Sequence, residues 1–141
     1  MKKTVTKIAI AALLCVPSLS LASSKSLMTI VTSPNPQTQL MSMVLSLKSM
    51  AQGAKINILL CGPAGTLATK GSKEVKLKPK NVSAQMLLRK MIKKGATVEV
   101  CPLYLPNANK TTTDLIKGVS VAKPATQAGK ILDDNTKILT Y

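Results

Sequence analysis

The chain has no histidine, no tryptophan and no phenylalanine, and its only aromatic residues are Tyr104 and Tyr141. Without histidine, the usual zinc sites and the Ser/His and Cys/His nucleophilic machineries are excluded. There are five acidic residues, Glu74, Glu99, Asp114, Asp133 and Asp134. Glu99 falls in an apolar run, Asp133-Asp134 read as a turn and Asp114 as a helix cap, so none forms a pair suited to acid/base catalysis. Arg89 is the sole arginine. A chain this poor in arginine forks and stacking aromatics is a poor reader of nucleic acid despite its charge. No C-x-x-C motif is present, which removes the thioredoxin-like signature.

What the chain does have is lysine, giving a formal net charge of +15. Three lysines, Lys2, Lys3 and Lys7, sit at the start of the chain, and Ile8 to Val16 follow as an apolar stretch too short for a membrane-spanning helix. Ser20-Leu21-Ala22 then places small residues three and one before a cut, the pattern of a secretory signal peptide covering residues 1–22. A lipid anchor at Cys15 fits less well, because Leu14 stands where that signal wants a small residue. A retained anchor is the other alternative. Export places the mature chain in the periplasm or outside the cell, touching the membrane only during passage. Residues 23–141 are enough for one domain with a single core. They keep a net charge of +12, which suits acidic partners or simply a solvated surface.

Along this segment strands alternate with helices. Ser26 to Thr32 reads as a strand, and Pro36 opens a helix with apolar positions Leu40, Met41, Met43, Val44, Leu47, Met50 and Ala51, stopped by Gly53. Lys55 to Leu60 is a second strand that ends at the turn Cys61-Gly62-Pro63. Residues 64–82 read as a long basic loop over the carboxyl edge of the sheet, with room for a short turn of helix, carrying Lys70, Lys73, Lys76, Lys78 and Lys80. Ser83 caps a helix with apolar face Met86, Leu87, Met91 and Ile92, and Gly95 ends it. Ala96 to Val100 is a short strand closed by Cys101-Pro102, and Pro102 to Asn107 read as loop. Thr111 to Lys117 is expected as a short helix, Val119 to Val121 as a brief strand, Ala125 to Leu132 as a helix and Thr136 to Thr140 as the last strand. The pattern predicts an α/β single-domain three-layer sandwich around a mainly parallel sheet of about five strands.

Two cysteines remain in the mature chain, Cys61 and Cys101, each just past a strand end. A parallel sheet puts both on the carboxyl edge, where open α/β sheets place reactive groups. Either a structural disulfide or a redox-active pair fits that placement. A buried cysteine at a strand end also serves as a small apolar residue. Gly62-Pro63-Ala64-Gly65-Thr66 lacks the lysine-serine ending of a phosphate-cradling loop and reads as a tight strand exit. The methionines Met41, Met43, Met50, Met86 and Met91 invite a Cu(I) reading, but their helical spacing marks them as core filler where Phe and Trp are missing. Neither a metal nor an organic cofactor is expected.

The segments Cys61-Gly62-Pro63, Gly95 to Cys101, Asp114 to Val119 and Ile138 to Tyr141 together resemble, in order, the DsrE/DsrF/TusD sulfur-relay family, specifically its exported single-domain members. The resemblance implies a DsrE-like domain over residues 23–141 and a cysteine after a central strand that carries sulfur as a persulfide. Cys101 holds that position. It also implies trimers or hexamers and a sulfur donor or acceptor protein as partner. The relay proteins of known role work in the cytoplasm, whereas this chain opens with an export signal.

Two functions follow. In the first, the chain is a sulfurtransferase-like carrier or thiol-handling protein with Cys101 as the persulfide or redox site and Cys61 as second thiol or disulfide partner. The lysine-rich loop supplies the positive field that stabilises a thiolate. In the second, it is a noncatalytic periplasmic binding module. There Lys70, Lys73, Lys76, Lys78 and Lys80 recognise an anionic small molecule or partner, and Cys61 and Cys101 only staple the fold.

Overall fold

A computed structural model describes residues 25–141. The leader expected over residues 1–22, with Cys15, lies outside the described residues. Five strands form one sheet: β1 (Ser26–Val31), β2 (Lys55–Leu60), β3 (Thr97–Val100), β4 (Val119–Val121) and β5 (Thr136–Thr140). Their order is β4-β3-β2-β1-β5, and every pairing is parallel. Parallel neighbours need crossovers, which are supplied by α1 (Pro36–Ala51), α2 (Ala84–Lys93), a short α3 (Tyr104–Asn107) and α4 (Pro124–Ile131).

Register assigns the faces. Leu27 pairs with Ile56, Thr29 with Ile58 and Val31 with Leu60, and Ile58 and Leu60 continue to Val98 and Val100. Thr29 Oγ1 lies 2.8 Å from Ser46 Oγ of α1, so this row faces α1 and α2. The alternate row contains Glu99, whose carboxylate accepts from Gln127 and Lys130 of α4 at 2.8 and 2.6 Å. Helices therefore cover both faces, as a right-handed return from β4 to the far edge requires. The three-layer, five-stranded expectation holds. Ile56, Ile58, Leu60, Val98 and Val100 are all essentially buried, each stabilising the fold by about 1.5–3 kcal/mol relative to exposure.

Asn35 caps α1, its side chain accepting from the amides of Gln37 and Thr38, and Pro36 takes the first helical position. The helix buries Met43 and packs Leu47 and Met50 against the core as expected, but departs from expectation at other positions. Gln39, Ser42, Met43 and Ser46 point inward, whereas Met41 is 50% exposed. Small serines let α1 approach β1 closely, and their hydroxyls are satisfied by the Gln39 and Ser42 carbonyls. In α2, Leu88 and Met91 are buried while Met86 is exposed, so the core-filler reading holds for Met43 and Met91 but not for Met41 or Met86.

Two loops also differ. Thr111 to Lys117 does not form the expected helix: only Thr112–Asp114 makes a 3₁₀ turn, capped by Asp114 accepting from the Thr111 amide. Leu115 then bridges antiparallel to Thr69, and Ile116 N–H donates to the Ala68 carbonyl. Burial of Leu115 outweighs another helical turn. Conversely, Tyr104–Asn107 is a helical turn rather than loop. The short turn of helix allowed in the basic loop is present as the 3₁₀ segment Gly62–Ala68.

Candidate functional site

The two cysteines meet because β2 and β3 are neighbours in register. Leu60 and Val100 pair last, and the ladder continues one residue further: Cys61 N–H donates to the Val31 carbonyl at 2.9 Å, and Cys101 N–H to the Leu60 carbonyl at 2.8 Å. Cys61 and Cys101 thus leave adjacent strand ends side by side at the carboxyl edge. Both are half-buried and both are free thiols. Burial pushes the Cys61 thiol up to about 12, and the Cys101 side chain beside it adds to the rise through hydrogen bonding and charge. Cys61 therefore keeps its proton at neutral pH, and of the two sulfurs it is Cys101 that lines open clefts.

Cys101 opens onto two clefts. The larger, about 470 Å³, is walled by Gly62, Pro63, Leu103, Tyr104, Asn107 and Ala108. The smaller, about 330 Å³, is walled by Leu59, Pro102, Leu103, Ala122, Pro124 and Gln127. Leu103 belongs to both and is 70% exposed. The larger cleft has a fixed wall. Tyr104 N–H donates to the Cys101 carbonyl at 3.0 Å, which starts α3 directly after the cysteine. Gly62, at φ +50°, turns the chain sharply away from Cys61, a conformation that glycine adopts without steric cost.

The lysines of the loop lie elsewhere. Lys70 donates to the Thr113 carbonyl at 2.7 Å. Lys73 lines a separate cleft of about 300 Å³ with Pro34, Gln39, Pro63, Thr66 and Gln85. Lys76, Lys78 and Lys80 are exposed. None of the five walls either cleft at Cys101, so the expected lysine field is not gathered there. The loop is instead tied back through Glu74, which pairs with Arg89 and accepts from the Ser83 hydroxyl at 3.1 Å.

Both thiols are legible in the sequence pattern, whereas the walls of their clefts are not. Pro102 and Pro106 flank Tyr104 and suggested plain loop. The ion pair of Glu99 with Lys130, joined by Gln127, was also unforeseen, because α4 reaches β3 only through the tertiary fold. No group of three or more potential metal ligands occurs among the described residues.

No family model matches this sequence, and no curated protein matches it. Solved structures do match in fold. The YchN protein from E. coli superimposes with a TM-score of 0.68 at 17% identity, over 83% of this chain and 99% of that one. MTH1491, a protein of unknown function from Methanobacterium thermoautotrophicum, superimposes with a TM-score of 0.60 at 12% identity, over 84% of this chain and 99% of that one. The likeness is one of fold: the chain shares with these structures an α/β architecture, here built on a parallel five-stranded sheet.

Proposed function

We propose that this chain is an exported sulfur carrier or thiol-handling protein in which Cys101 is the working sulfur. The observation that carries the reading is the placement of Cys101 at the carboxyl end of β3, opening onto two clefts with the Cys61 thiol beside it. A carrier needs one sulfur that is reachable and nucleophilic, held by a rigid element. The sheet edge supplies the rigidity, since the amides of both cysteines are bonded into the ladder. Cys61, kept protonated, is a neutral neighbour that does not compete as a nucleophile at neutral pH. Resemblance to the sulfur-relay family supports the persulfide as the carried form. In this reading the mature chain works outside the cytoplasm, exchanges sulfur with a donor or acceptor, and assembles as trimers or hexamers.

The test is the intact mass of the mature protein, purified without reductant, before and after a sulfane-sulfur donor and again after reduction. Gain of one reducible sulfur, mapped to Cys101 and lost in Cys101→Ala with the fold retained, is the expected result. A protein that loses two hydrogens to form a Cys61–Cys101 disulfide and then takes up no sulfur overturns the carrier reading. It favours a binding module stapled by its cysteines.

A further inference from the structure

We infer that Cys101 accepts its sulfur from a small persulfide whose organic group is apolar and uncharged rather than from one whose organic group is anionic; this rests on the carrier reading above. The walls around the sulfur are apolar where they are made by side chains of Pro63, Leu103, Tyr104 and Ala108 on one side and Leu59, Ala122 and Pro124 on the other. The larger cleft, about 470 Å³, lies in the size range of small-molecule sites. An anion entering it meets no lysine or arginine in the wall. Glu99 stands two residues before Cys101 on the same side of β3, and its carboxylate already holds Lys130 at 2.6 Å. The nearby cation is thereby committed to Glu99 and is not offered to an anionic group of a ligand.

Leu103 adds a positive indication. A leucine left 70% exposed over the reactive sulfur is poorly placed for stability, but it completes an apolar contact for a ligand bridging the two clefts. The step needs no oxidant. The Cys101 thiolate attacks the outer sulfur of R–S–S–H, the S–S bond breaks, and R–S⁻ leaves with the bonding pair and is protonated by water. Cys101 is left as Cys101–S–S–H. Apolar R packs against Leu103 and Tyr104, where each methylene adds discrimination.

The experiment compares benzyl persulfide with glutathione persulfide as donors to the reduced mature protein. Initial rates of sulfur gain are read by intact mass, each normalised to the same donor's rate with a free small-molecule thiol. The expected preference for the benzyl donor is about tenfold or more, the scale that apolar pocket contacts provide. Leu103→Lys, at an exposed position that the fold tolerates, is expected to bring the normalised ratio toward parity. Equal normalised rates in the unsubstituted protein, or a preference indifferent to Leu103→Lys, overturn the inference while sulfur gain at Cys101 leaves the carrier reading standing. Sulfur gain from neither donor overturns both.

Discussion

The ring of Tyr104 occupies the space that a side chain on Gly65 would need: a Cβ built at Gly65 lies 2.4 Å from two carbons of the ring. Tyr104 walls the larger cleft beside Cys101. The 3₁₀ segment after β2 thus sets the shape of the site on β3 through a hydrogen atom in place of a methyl. Gly65→Ala is expected to displace the ring and destabilise the protein by about 1–3 kcal/mol, the usual cost of overpacking. Thermal unfolding of Gly65→Ala, Tyr104→Ala and the double variant checks the contact. If the glycine substitution is as costly without the ring as with it, the close approach is not its cause.

Lys130 and Gln127 hold the Glu99 carboxylate, whose side chain is only 13% exposed. Lys130→Met removes the charge partner and leaves a largely buried carboxylate with Gln127 alone. A loss of about 2 kcal/mol is expected, the order measured for hydrogen bonds to charged groups that lose a partner. Chemical denaturation of Lys130→Met and of Lys130→Met combined with Glu99→Gln reads it, the second change recovering part of the loss. No recovery means that the carboxylate does not need its cation.

Much of this architecture was legible because strands covered on both faces read as apolar runs, and the glycines and prolines mark their ends. The meeting of Cys61 and Cys101 followed from placing both beyond strand ends, but only the β2–β3 pairing makes them neighbours. On α1 the apolar spacing correctly places Met43, Leu47 and Met50 toward the core but also points to Met41, which is exposed, while close packing selects Ser42 and Ser46 and satisfies them on backbone carbonyls. Leu115 and Ile116 have helical spacing with nothing local to forbid a helix. A long-range bridge to Thr69 decides their conformation, and no local pattern carries that information.

Thr29 and Ser46 form a buried hydroxyl pair between β1 and α1, 2.8 Å apart, with Ser46 also donating to the Ser42 carbonyl. A double-mutant cycle with Thr29→Val and Ser46→Ala is expected to give a coupling of about 1 kcal/mol, the net worth of one such bond. Additive losses, measured by urea unfolding, indicate that the hydroxyls are satisfied independently.

The lysine-rich loop puts no side chain into the walls of the clefts at Cys101. Replacing Lys73, Lys76, Lys78 and Lys80 together by glutamine is expected to leave the rate of sulfur gain at Cys101 unaltered, because none of these side chains walls its clefts. Intact-mass kinetics at low ionic strength, where long-range fields act most strongly, is the sensitive measurement. A marked slowing restores the lysine field to the mechanism.

Cys61 carries a signature that titration and labelling can read. Its thiol ionises in the fold only at about 12, against an ordinary value of 9.0, because burial and the Cys101 side chain disfavour the thiolate. Below pH 9 both folded and unfolded chains hold this proton, and its contribution to stability is fully present. Between pH 9 and 12 the unfolded chain releases a proton that the folded chain keeps, so stability falls as pH rises. Cys61→Ser removes that component, and its denaturation profile is expected to lose less stability across this window than the unsubstituted protein. Labelling gives an independent reading. Iodoacetamide at pH 8 is expected to modify Cys61 far more slowly in the native protein than in the unfolded chain, with the rate still climbing above pH 9. Cys101→Ala relieves the neighbour's share but leaves the burial, so the profile moves down only in part. Native Cys61 reacting at pH 8 as fast as in the unfolded chain would contradict the protonated-neighbour role assigned to it beside Cys101.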